Sequence, residues 1–303
     1  MSELIDFAEL KASDLLPSPK GVRLNIMRLC QQESVSLQEL AKQIQADPVL
    51  AGRIIKIGNV ANPNRLRPIA SVTTEVLILV GVFTVRQVVL GISLVASYQN
   101  GSCTLFNYAQ FWSRSVALAC AAQTLAGYVR VAPIAEMFTC GLLAGIGRLA
   151  LASARPQAYS LLLEKADGFL PDELIQAEAQ LFGFNHLSLG TAMMNDWNIP
   201  RLFTEAVLFH EAPALSGLTE GTRQQKLVRL LHIAARIADI CVAPEIEREQ
   251  LIADTIEYGS TLDITFSQMA AIINRTSEEW LEWADVLRVH AHPLPQLPEG
   301  DAD

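Results

Sequence analysis

Residues 141–151 read GLLAGIGRLAL. The three glycines invite a phosphate-cradling loop, but no strand pattern precedes Gly145-Ile146-Gly147 and the expected third glycine is missing. What remains is an apolar helical pattern, and the same pattern recurs along most of the chain. Alternating strand-like runs are scarce and there is no internal repeat. The fold expected from this stretch outward is all-α.

Helix punctuation supports that expectation. Ser18-Pro19 offers an N-cap and first-turn proline before a helix over 21–32. Ser36 and Glu39 have capping-box spacing ahead of LQELAKQI, and Asp47-Pro48 starts VLAGRIIKIG, which Gly58-Asn59 would end. Ser71 precedes an apolar helix stopped by Gly81, with Thr84 placed to cap the next one. Thr276 and Glu279 repeat the capping-box spacing in TSEEWLEWADVLRV, and from His290 the sequence HAHPLPQLPEGDAD reads as a disordered tail.

The chain has 303 residues, half of them hydrophobic and 18% charged, which is a globular composition. Charge is unevenly spread: residues 245–303 hold 13 acids against 3 bases, net −10 of the total −9. Such a region argues against non-specific nucleic-acid binding. The five cysteines are scattered, with no CxxC and four of them in apolar surroundings, which suggests a reducing cytoplasm. The N-terminus lacks an apolar signal core. Residues 76–96 form the one membrane candidate, but Arg86 and Gln87 split it into runs too short to span. Two buried helices joined near Gly81 account for it better.

Residues 36–57 have the rhythm of a DNA-reading helix pair, with Arg53 and Lys56 as candidate phosphate contacts. The turn lacks glycine, however, and the second helix opens on apolar Val49 and Leu50 instead of base-contacting side chains.

Taken in order, LPSPKGVRLNIMRL, ADPVLAGRIIKIGNVAN, IASVTTEVLILVGVFTVRQVVL, FWSRSVALA, FTCGLLAGIGRLAL and EAQLFGFNHLSLGTAMMNDWNIP resemble the HD-related output domain, HDOD. This is a branch of the HD phosphohydrolase superfamily, and the resemblance covers about Leu15 to Pro213. It implies a lead segment (1–14), an N-terminal helical lobe (about 15–100) and an HD-like core (about 105–243). Acidic helices (244–289) and the tail (290–303) follow.

The resemblance also implies where the superfamily's metal ligands would fall. The first His position holds Arg114, and the His-Asp pair falls at Ala144 and Gly145. His186 is kept; the paired histidines fall at Phe209 and His210, and the final Asp at Ala235, with Asp239 four residues on. Two metals need anionic oxygens, and even one catalytic zinc usually takes three protein ligands. A guanidinium about 4 Å from a divalent ion is repulsive by roughly 8 kcal/mol at an effective dielectric of 20. No metal and no cofactor is therefore expected, and no catalytic residue.

Arg114, His186 and His210 are instead candidates for a pocket holding an anionic ligand. His232 reads as a core or boundary residue, and His290 and His292 as solvated tail residues. Trp112 and Trp197 read as core. Trp280 and Trp283 share a face among acids and are candidates for docking a partner, although packing on the chain's own surface explains them too. The expectation is a cytoplasmic, non-catalytic output protein of bacterial signalling that acts on signalling proteins of two-component or cyclic-dinucleotide pathways. Two alternatives stand beside it: a residual phosphohydrolase using His186, His210 and Asp239, and a DNA-binding regulator using residues 36–57.

Overall fold

A computed structural model describes residues 7–13, 15–18, 25–26, 29–30, 36–61, 67–166 and 170–298. Every regular element among them is helical, as the apolar periodicity requires. The helix expected over 21–32 falls mostly outside the described residues. The chain divides into two compact units, Ser18–Tyr98 and Met1–Pro17 with Gln99–Asp303.

The smaller unit contains α2 (Leu37–Gln45), α3 (Pro48–Ala61), α4 (Thr74–Val80) and α5 (Val82–Ser97). Ser36 caps α2 through the Glu39 amide, but the Glu39 carboxylate accepts from Gln43 Nε2 at 2.8 Å, so the reciprocal half of the expected box is absent. Gly58-Asn59 does not end α3, which runs on to Ala61. The Asn59 amide is engaged instead with the backbone of Ile69, accepting at 2.7 Å and donating at 3.2 Å. Thr73, rather than Ser71, caps α4. Gly81, at φ +85°, lets α4 and α5 meet at 92°, and Thr84 lies buried inside α5 instead of capping it. Arg53, which the DNA reading needs on the surface, is only 1% exposed.

The larger unit begins with α1 (Phe7–Ala12) and is organised on α6 (Tyr108–Val129). Alanines 117, 119, 121, 122 and 126 are buried along α6, so neighbouring backbones approach closely. Against it pack α7 (Ile134–Leu143), α13 (Arg223–Val242) and α15 (Phe266–Leu287). A side chain at Gly141 would meet the Leu118 carbonyl oxygen at 2.7 Å, which is why α7 carries glycine there. Next come α8 (Ile146–Ala154), α9 (Pro156–Lys165), α10 (Pro171–Phe182), α11 (His186–Asp196) and α12 (Arg201–Phe209), and α14 (Glu245–Gly259) precedes α15. Glu136–Ala154 is long and apolar enough to cross a membrane, but 83% of its most apolar window is buried inside the protein.

The C-terminal part corrects two expectations. Thr265 and Gln268 form the capping box that starts α15, and Thr276 is buried in mid-helix. The residues after α15 are not a loose tail over 290–298. Asn274 holds Leu297 by two reciprocal hydrogen bonds of 2.8 and 2.9 Å, and Ser113 Oγ donates to the His290 carbonyl at 2.6 Å. His292 packs edge-on to Trp280, 5.5 Å between ring centres. Backbone groups in this proline-broken segment have no helix to satisfy them, and the side chains of α6 and α15 do so instead.

A buried polar chain beside an arginine-lined cavity

The site grows from a tight turn. Gly183, at φ +84°, ends α10, and Asn185 caps α11 by accepting from Ser188 N at 2.9 Å. His186 is thereby the first residue of α11, with its backbone N–H 2.8 Å from Glu178 Oε2 on α10. The carboxylate so placed also faces the positive end of α11. Gly147 of α8 lies against the same turn; a Cβ there would come within 1.8 Å of the His186 carbonyl oxygen. Gly141 and Gly147 of GLLAGIGRLAL thus serve helix crossings.

Polar contacts then run in series. Tyr159 Oη donates to Glu178 Oε1 at 3.0 Å, and Glu178 Oε2 lies 2.6 Å from His186 Nδ1. His186 Nε2 is 3.2 Å from Glu211 Oε2, though without hydrogen-bond alignment. Arg148 Nη2 donates to both Glu211 oxygens, at 3.0 and 3.1 Å. Glu178 and His186 are almost wholly buried.

Burial and Arg148 push the His186 imidazole down, but Glu211 and Glu178 outweigh them and raise it above its ordinary value. Burial raises Glu211, yet Arg148 and His186 hold it well below the usual carboxylate range. Burial and Glu178 push the Tyr159 phenol up, leaving it a neutral donor.

His210 stands apart from that series. Its Nδ1 faces the Val207 carbonyl at 2.7 Å, and burial lowers it to about 4. His232 Nδ1 lies 2.7 Å from the His210 carbonyl, at the half-buried boundary expected for it.

Arg114 forms a fork with Asp239, Nε to Oδ1 at 2.6 Å and Nη2 to Oδ2 at 3.2 Å. It opens on a cavity of about 350 Å3, also lined by Arg148, Tyr159, Phe106, Phe111 and Asp239. His186 and His210 are not on its wall. Of the expected pocket trio, only Arg114 faces the cavity; Arg148 and Tyr159, which the sequence reading passed over, do so as well. Arg148 did carry a signal, as the only charge between Met137 and Ala154, and a charge inside an apolar run needs a partner.

Trp280 and Trp283 are 0% and 3% exposed, so they form no exposed docking face. Trp280 Nε1 donates to the Ser113 carbonyl at 3.0 Å. Trp112 is core as expected, while Trp197 is only half-buried at the end of α11. Cys103, Cys120, Cys140 and Cys241 are buried thiols outside any disulfide, and burial pushes the Cys241 thiol up to about 12.

These residues do not suit the superfamily's metals. Asp239 is taken by Arg114, and Glu178 and Glu211 by His186 and Arg148. Among the described residues, no group of three or more His, Cys, Asp or Glu side chains is arranged to hold a metal ion.

The HDOD domain profile matches residues 16–213. Among solved structures, the MmoQ response regulator of Methylococcus capsulatus str. Bath is 33% identical, covering 85% of this chain and 97% of its own, with a TM-score of 0.53. An HDOD domain protein of unknown function from Geobacter sulfurreducens is 20% identical, with 92% of each chain covered and a TM-score of 0.55. A Shewanella amazonensis SB2B protein with a provisional phosphohydrolase name is also 20% identical, covering 92% of this chain and 98% of its own, with a TM-score of 0.64. These last two share the fold. No protein of curated function matches.

Proposed function

Because the chain belongs to the HDOD domain family, we propose that it is a non-hydrolytic output protein of bacterial signal transduction. It works by binding signalling proteins of two-component or cyclic-dinucleotide pathways, under the control of a small anionic ligand. The 33% identity to a response regulator supports the signalling context. The observation that carries the non-hydrolytic part is the Arg114–Asp239 fork. It puts a fixed cation, already matched by a carboxylate, where the resemblance places the first metal-binding histidine. A hydrolase needs free anionic oxygens to hold its metals and orient water. Here every carboxylate of the site faces a cationic or hydrogen-bond-donating side chain of the protein itself.

The test is metal analysis of the purified chain with a hydrolysis assay on bis(4-nitrophenyl) phosphate in added Mn2+ or Fe2+. The expected result is no stoichiometric metal and no hydrolysis above background, together with capture of a signalling protein from lysate of the native organism. One or two metal ions per chain with chelation-sensitive hydrolysis would overturn the reading.

A further inference from the structure

We infer that the cavity beside Arg114 is a binding site for a small aromatic monocarboxylate. The inference rests on the proposal that a ligand governs this module, and it names the ligand's class. Charge comes first. The ionised side chains on the wall are Arg114, Arg148 and Asp239, and Glu211, bonded to Arg148, brings the cluster to zero net charge. A monoanion adds a single negative charge to this balanced cluster, whereas a phosphate dianion adds two beside Asp239 and Glu211.

Donors come second. Arg114 spends Nε and Nη2 on Asp239, and Arg148 spends Nη2 on Glu211. Arg114 Nη1 and Arg148 Nε and Nη1 have no acceptor among the described residues. These are planar N–H edges of the kind a carboxylate accepts from.

Size and wall chemistry fix the rest of the molecule. A cavity of about 150 Å3 takes benzene, so about 350 Å3 accommodates a body of roughly two rings. A cyclic dinucleotide, with two bases, two sugars and two phosphates, exceeds it. Phe106 lies 5.3 Å from Phe111 and 6.3 Å from Tyr159 between ring centres, both tilted, which offers aromatic faces and edges to a flat body. Leu163 and Leu174 complete an apolar wall.

The probe is 2-naphthoate, titrated into the full-length protein by calorimetry and thermal shift, beside 2-naphthol, inorganic phosphate and cyclic di-GMP. Saturable binding of 2-naphthoate alone is expected. Arg114→Gln should weaken it about tenfold or more by removing a charge-assisted hydrogen bond. Leu163→Trp, which fills the cavity without touching a charge, should abolish it, and this variant decides the matter if Arg114→Gln does not fold. The inference is overturned if 2-naphthoate does not bind, if binding survives Leu163→Trp, or if 2-naphthol binds equally well. Preference for phosphate or cyclic di-GMP overturns it too. Any of these results in a protein that still captures its partner and hydrolyses nothing leaves the signalling proposal intact. Metal-dependent hydrolysis removes that proposal whatever 2-naphthoate does.

Discussion

Two arginine–carboxylate pairs lie near one another in the larger unit, and they do different work. Arg114–Asp239 is a well-aligned fork on the cavity wall, with 26% and 44% of the two side chains exposed. Arg148–Glu211 has one end at the same wall, but Glu211 is only 10% exposed and backs onto His186 and Glu178, which are sealed from water. The two arginines are about equally exposed, so the difference lies in the carboxylate: burying it turns an exchangeable contact into a fixed one. Water screens the first pair and stands ready to replace either partner. In the second, each group is the counter-charge of the next, and losing one strands the others.

The comparison breaks most easily at Glu211. Glu211→Leu leaves Arg148 without its counter-charge and His186 Nε2 facing hydrocarbon, so a loss of about 3–5 kcal/mol is expected in urea unfolding. A loss below about 1 kcal/mol would mean that the interior chain is no more coupled than the rim.

Acid is the next lever, and two groups pull in the same direction. His210 is lowered from 6.5 to about 4, so its contribution is present above pH 6.5 and is lost as pH falls toward 4. Glu211 is lowered well below 4.5, and its contribution likewise disappears in acid. His186 is raised, so it stabilises below its ordinary value of 6.5 and loses that contribution as pH climbs through the folded value. Stability should therefore fall as pH drops below 6.5 and also as it climbs from 6.5 through the folded value of His186. His210→Gln should flatten the acid limb between pH 6.5 and 4, as measured by unfolding at stepped pH. An unchanged acid limb would show that His210 is not held neutral by burial.

The smallest effect is expected at the rim. Asp239→Asn should cost no more than about 1 kcal/mol in the same urea assay, and less in high salt. A larger, salt-insensitive loss would erase the distinction between the two pairs.

Fold and site were unequally legible in the sequence. Apolar periodicity and helix punctuation identify an all-helical chain, because both act over a few residues. Where they misplace an end, a competing local bond is responsible. Thr265, eleven residues before Thr276, satisfies the start of α15 together with Gln268, and Thr73 is nearer the first turn of α4 than Ser71. The resemblance led to Arg114 and to Asp239 but not to their pairing. Glu178 and Glu211 answer His186 and Arg148 rather than Arg114, since pairing depends on which helix turns face each other across Gly147. His186 and His210 fall at ligand positions by resemblance, and both point away from the cavity into their own buried contacts. Trp280 looks like a surface residue beside so many acids because the segment that covers it is a dozen residues further along the chain.

That covering segment gives the chain's end an unsuspected reach. Ser113 receives the Trp280 indole on its carbonyl and gives its hydroxyl to His290, and it immediately precedes Arg114. A protease nicking the prolines beyond Arg288 would cut residues that look dispensable. It would nonetheless uncap an indole and loosen the helical turn that aims a guanidinium at the cavity. Trimming this end is, in effect, a mutation of the interior made from outside.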